Sequence, residues 1–178
     1  FRTEALDLAD RISAKREEIN NIIRLSPKQV ANLGQRKPNA TALGMIGLPD
    51  EEFIVYDRQD LYRVIHNSVD EPDRIVDEEL ILDGVAFERY QTYAFQTTGN
   101  SIVELINGQP TAMKTEDPLG WRTGKDAKAY LRFLYILSPD TGEQGQIYKY
   151  ERLSNRYAAP DEYNVNGDLR DALDMVID

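Results

Sequence analysis

The chain has 178 residues, the size of one ordinary domain and enough to bury about 70% of the surface its unfolded form exposes. Its 41% hydrophobic and 29% charged content excludes a disordered tail or a coiled coil, and a net charge of −10 disfavours phosphate backbones and anionic lipid surfaces as partners. With no cysteine and one histidine, disulfide frameworks, thiolate metal sites and cysteine nucleophiles are excluded, together with most histidine-based catalysis.

From Thr3 to Arg24, Leu6, Leu8, Ile12, Ile19, Ile22 and Ile23 fall largely at three- and four-residue spacings among strong helix formers such as Ala5, Ala14, Lys15 and Glu17. This spacing predicts one amphipathic helix. Ser26-Pro27 is its expected stop, because the residue before proline is pushed out of the α region and proline cannot continue the hydrogen-bond ladder. The apolar stripe is expected to lie across a sheet. Residues 27–50, with Gly34, Pro38, Gly44 and Gly47, read as a long ordered loop holding one helical turn near Val30 to Leu33. Loops of that length are usually lids or contact surfaces. The loop also carries the short sequon Asn39-Ala40-Thr41.

The period changes to two after Glu52. Phe53 and Val55, then Leu61, Arg63 and Ile65, predict a hairpin turning on Asp57-Arg58-Gln59-Asp60. An acidic connection runs from Asp70 to Glu79, and Leu80 to Phe95 reads as one long strand, straight or bulged at Gly84. Asn107-Gly108 is the strongest turn signal in the chain and predicts a hairpin of Ile102 to Ile106 with Thr111 to Lys114. Tyr130 to Leu137 is the most apolar strand, with Gln146 to Leu153 paired to it. Asp168 to Ile177 is expected to close as a short helix with Leu169, Ala172, Leu173 and Val176 on one face. The prediction is therefore one α+β domain over residues 1–178: an N-terminal amphipathic helix (1–26) packed on a mainly antiparallel sheet (51–156), a loop (27–50) between them, and a tail (157–178) with a short C-terminal helix.

Candidate chemistry is sparse. His66 is the one group that titrates near neutrality in its ordinary state, and no serine sits in a Gly-x-Ser-x-Gly elbow. Neither a His-Glu-x-x-His metal motif nor a glycine-rich phosphate loop is present. Acidic clusters such as Asp50-Glu51-Glu52 and Asp77-Glu78-Glu79 suit solvated turns, with a carboxylate-pair hydrolase as the catalytic alternative. Glu162, Asn164, Asn166, Gly167 and Asp168 start like a calcium loop, but its twelfth position is Leu173 rather than a bidentate acid. Neither a metal nor a cofactor is expected. Charge is unevenly spread: residues 50–83 hold twelve acids against three bases, and residues 1–36 seven bases against five acids. That asymmetry suits docking to like subunits or to a complementary partner.

The amphipathic first helix, Leu61-Tyr62-Arg63, the run Leu80-Ile81-Leu82-Asp83-Gly84-Val85-Ala86-Phe87, Trp121 and Tyr130-Leu131-Arg132-Phe133-Leu134 together resemble the soluble part of a prepilin-type minor subunit, of the J or W kind found in type II secretion pseudopili and type IV pili. The likeness spans about residues 1–137 and departs from the family in lacking its hydrophobic N-terminal spine. The chain starts at Phe1 rather than Met, which leaves room for such an anchor upstream. The resemblance implies a non-catalytic, extracytoplasmic (periplasmic or cell-surface) assembly subunit that contacts other protein subunits, with neither nucleic acid nor, for the chain as given, membrane as a partner. A virus or phage structural protein is the alternative of the same class. Expected contact residues are Leu6, Ile12, Ile19 and Ile23 on the helix and Tyr62, Tyr90, Tyr93 and Trp121 on the sheet.

Overall fold

The computed structural model describes residues 2–23, 25–26, 28–49, 52–164 and 166–177. The chain divides into two compact units, residues 1–30 and 31–178.

The first unit is built on α1 (Arg2–Ile19). The helix stops short of the expected proline, which itself lies outside the described residues. Asn21 adopts a left-handed conformation (φ 52°), its N–H bonds the Glu18 carbonyl, and the Ile22 N–H reaches back to the Glu17 carbonyl at 2.9 Å. This pair of bonds is a Schellman cap, which satisfies the last carbonyls by turning the chain out of the helix. Asparagine tolerates positive φ better than most residues, and this is the local reason the helix ends there. Replacing Asn21 by glycine is expected to strengthen the cap and replacing it by alanine to weaken it by about 1 kcal/mol. Circular dichroism of the full chain, read as helix content, checks the order. The expected burial of the apolar stripe is not found: no α1 side chain is buried, and Ile19 is 72% exposed.

The second unit is almost all β, which corrects the α+β expectation: 38% of the chain is strand, in three sheets. The first sheet holds β1 (Gly44–Gly47), β2 (Phe53–Tyr56), β3 (Asp60–Ile65) and β4 (Ser68–Val69) in that order, with β5 (Asp73–Arg74) also on β3. The expected loop of residues 27–50 thus contains strand β1 and a 3-10 turn at Leu33–Gln35, in which the Asn32 side chain accepts from the Gly34 N–H. Glycines at both ends of β1 hid it from a propensity reading. Gly44 is needed there because a Cβ would fall on the Tyr56 ring.

The second sheet runs β13 (Arg156–Tyr157), β9 (Gln109–Thr115), β8 (Ile102–Ile106), β7 (Thr92–Thr97), β6 (Ile81–Phe87), and the third β10 (Asp126–Tyr130), β11 (Phe133–Ser138), β12 (Gln146–Glu151), β14 (Asp161–Glu162). The single long strand expected over Leu80 to Phe95 is two strands. A 3-10 turn at Glu88–Tyr90 and a left-handed Gln91 reverse the chain, and the register shift lies between Ile81 and Asp83 rather than at Gly84. Asn107-Gly108 forms the two-residue turn between β8 and β9, both residues at positive φ. The apolar run from Tyr130 to Leu137 is likewise broken, at Leu131 (φ 53°), where β10 turns into β11.

The second sheet lies between the other two. Along β7, Ala94 faces the third sheet, in a core of Val85, Phe87, Ile102, Met113, Leu134, Ile136, Tyr148, Tyr150 and Tyr157. Tyr93 and Phe95 face the first sheet with Ile46, Ile54, Tyr56, Leu61 and Ile81. Because side chains alternate along a strand, the shift after Ile81 moves that residue to the first-sheet core while Val85 and Phe87 serve the other. The outer face of the first sheet, with Val55, Tyr62, Val64 and Val69, is covered by Ala31, Leu33 and Ala40. No C-terminal helix forms. One turn closes at Leu169 to Ala172, and Leu173 and Val176 are exposed, because the Leu169 and Met175 N–H groups bond the Gln144 carbonyl and the Asp126 carboxylate rather than a helical ladder.

Candidate functional site

Of the eight expected contact residues, Leu6, Ile12 and Ile19 sit on α1 and Ile23 just beyond it, all exposed. Tyr62 belongs to the interior instead, and Trp121 is half-buried against the core. Tyr62 is fully buried and its hydroxyl donates to Asp57 at 3.0 Å, burial and the neighbouring carboxylate together pushing that hydroxyl up to about 12. Trp121 donates to the Met113 carbonyl at 3.0 Å and its ring lies 4.8 Å from Tyr150 and 5.0 Å from Tyr157. Both residues act through packing.

Tyr90 and Tyr93 line a groove between the first sheet and the face of the second sheet turned toward it. It consists of two adjoining depressions of about 820 and 800 Å³ that share Leu48, Arg63, Gln91 and Tyr93. The walls combine apolar side chains with charged ones, of which Arg63 and Arg74 are paired. Arg63 reaches Glu52 at 2.7 Å, and Arg74 lies 3.3 Å from Asp60. The arrangement offers shape and hydrogen bonding, and among its described residues no nucleophile stands beside a base.

The titratable clusters close on themselves. Lys37 bridges Asp57 at 2.8 Å and Asp60 at 2.5 Å; these hydrogen bonds raise its own affinity for a proton. For Asp57, burial works upward, but N–H groups of Gln59 and Asp60, Lys37 and the Tyr62 hydroxyl outweigh it and hold the carboxyl below its usual range. Glu79 is held low by the hydroxyls of Thr97 and Ser101, pinning the loop before β6 to the β7–β8 turn. Among the described residues the most buried ion pair is Glu104 with Arg152: two parallel N–H bonds of 2.8 and 2.7 Å, with the Tyr157 hydroxyl donating to the same carboxylate. Glu104 is wholly buried between Ile102 and Ile106. An acid at an inward position of an alternating strand was the sequence signal for it. The pair fastens residues 152–157, where the chain passes from the third sheet to the second.

His66 stands exposed at the β3–β4 turn with φ 46°. Of the acidic clusters, Asp50 and Glu51 lie outside the described residues. In the calcium-like segment the Asn164 side chain is spent locally, accepting from the Gly167 N–H at 2.9 Å and donating to its carbonyl, and Asp168 is held by Arg170. Among the described residues no group of three or more His, Asp or Glu is placed to hold a metal ion, and no helix is long and apolar enough to cross a membrane. The fold and these surfaces define a mainly β protein of three sheets with an exposed amphipathic helix. The chain matches no family model, no curated protein and no solved structure.

Proposed function

We propose that this protein is a non-catalytic assembly subunit of an extracytoplasmic complex, whose N-terminal helix joins the helices of neighbouring subunits. One observation carries the reading. An 18-residue helix of which no side chain is buried is marginal in water, since helices of about this length draw their stability from packing of an apolar face. On α1, Ala5, Leu8, Ile12, Lys15 and Ile19 recur at alternating intervals of three and four, the spacing of a seam against another helix, with Lys15 as a polar interruption that weakens it. The resemblance to prepilin-type minor subunits supports the same role, since their first helices pack together.

The test is sedimentation equilibrium of the full chain beside its Ile12→Asp and Ile19→Asp variants. Expected is concentration-dependent association that both substitutions abolish, while the unfolding free energy of residues 31–178 stays within the normal range for surface changes, about ±0.5 kcal/mol. A monomeric wild-type chain, or association indifferent to both substitutions, overturns the reading.

A further inference from the structure

β10 is the outermost strand of its sheet, and the C-terminal segment crosses it. Two carboxylates meet at that crossing and compete for the same two donors. Lys128 Nζ lies 2.6 Å from Asp126 and 3.0 Å from Asp174. The Met175 N–H points at both, at 3.0 Å to Asp126 and 2.7 Å to Asp174. Asp126 is buried on β10, whereas Asp174 belongs to the segment and its side chain is 77% exposed. From β6 a third carboxylate, Asp83, faces the same place, with its oxygens taken by the Tyr56 hydroxyl (3.0 Å), its own Gly84 N–H and the Ala127 N–H (2.8 Å). On β11 the residue opposite Asp126 is Leu137, which brings no charge, and the nearby Lys125 is paired with Asp140. Lys128 therefore pairs with two carboxylates, with a third charge facing the same place.

We propose that a single proton shared by Asp126 and Asp174 is the latch that holds the C-terminal segment, residues 169–177, on β10, so that the segment is released as the pH rises. Like charges converging on shared donors cannot both stay ionised cheaply, and the buried member takes the proton. That order fits the surroundings. Burial lifts the Asp126 carboxyl to about 6, against the pull of Lys128 and the Met175 N–H, while Lys128 and Asp126 hold Asp174 low. The protonated Asp126 donates its O–H to Asp174, and Lys128 then balances the one remaining charge of the pair. The sign follows from linkage. A carboxyl that binds its proton more tightly in the docked state stabilises docking fully below its free value, near 4, and loses that contribution as the pH climbs through about 6. Above that, Asp126 and Asp174 repel across the junction, a repulsion that Lys128 only partly offsets and that the Leu169 N–H bond to the Gln144 carbonyl opposes from the other end of the segment.

Amide hydrogen exchange of the full chain, corrected for the intrinsic rate, reads the latch at residues 169–177. Protection at about pH 4.5 is expected to exceed that at about pH 8 by about tenfold or more, while β11 and β12 show no such difference. Asp126→Asn, which carries a permanent donor in place of the proton, is expected to keep the segment protected at both values. Asp174→Asn, at an exposed site that leaves the core untouched, is expected to do the same and remains informative if the buried variant folds poorly. Protection that is independent of pH in the wild type, that rises with pH, or that keeps its full pH dependence in Asp174→Asn overturns the proposal.

Discussion

Arg152→Met is expected to destabilise the second unit by about 3–5 kcal/mol at neutral pH, the usual result of removing one partner from a buried ion pair. Glu104 is left without solvent and without a counter-charge, with only the Tyr157 hydroxyl bonded to it. The loss comes from the orphaned carboxylate more than from the missing attraction, and this gives the prediction a pH signature. An unpaired buried carboxyl binds a proton above the range of the unfolded chain. Its penalty is therefore absent at low pH and grows as the pH rises past about 4 to 5. Denaturant midpoints of Arg152→Met are expected to approach the wild type at about pH 4.5 and to fall furthest below it at about pH 8. Adding Glu104→Gln to Arg152→Met removes the charge yet keeps an acceptor for Tyr157, and is expected to recover most of the loss. Equal destabilisation at both pH values would show that the side chain matters by volume alone.

Gly84→Ala is the second large effect expected, at about 2–3 kcal/mol, from overpacking rather than from backbone conformation. A Cβ at Gly84 would lie 2.8 Å from the Phe95 ring and 3.0 Å from Tyr56. Both rings are fixed: Phe95 is fully buried and meets Tyr56 edge-on at 5.7 Å between centroids, while the Tyr56 hydroxyl accepts from the Gly84 N–H and donates to Asp83. Phe95→Ala alone removes a buried ring, at about 3–5 kcal/mol. It also vacates the space the new methyl needs. The double variant is therefore expected to be more stable than the sum of the two singles by about 1–2 kcal/mol, a coupling typical of residues in contact. Thermal or denaturant unfolding of the four proteins measures it, and additivity within about 0.5 kcal/mol would sink the steric account.

Legibility in the sequence varied with the range of the forces involved. The β8–β9 hairpin was readable because Asn107-Gly108 is a purely local preference for positive φ. The pairing of β11 with β12 was readable because both runs are apolar and close in sequence. The breaks at Gln91 and Leu131 were not, since each places a residue with no preference for left-handed backbone in that conformation. Tertiary packing on both sides of the turn overrides the local preference at these sites. The C-terminal helix failed for the reverse reason. Leu169, Ala172, Leu173 and Val176 carry a helical period, yet Asp126 and Lys128 bind the segment's backbone and its Asp174 in a non-helical course. Tyr62 and Trp121 pack in or against the cores, a placement hidden from the sequence because an aromatic residue looks alike there whether it anchors a partner or fills a core.

By itself the sequence determined what this protein can be made of. Without cysteine and with one histidine, it excluded disulfides, thiolate metal sites and cysteine nucleophiles, and it set out strands with turns wherever local conformational preference was strong. Only the tertiary structure decided which face of each strand is inside, that a third sheet exists, that Glu104 meets Arg152 across 48 residues, and that Asp126 and Asp174 share one lysine. Composition and local preference act residue by residue. Burial and the meeting of charges depend on which distant segments the fold brings together.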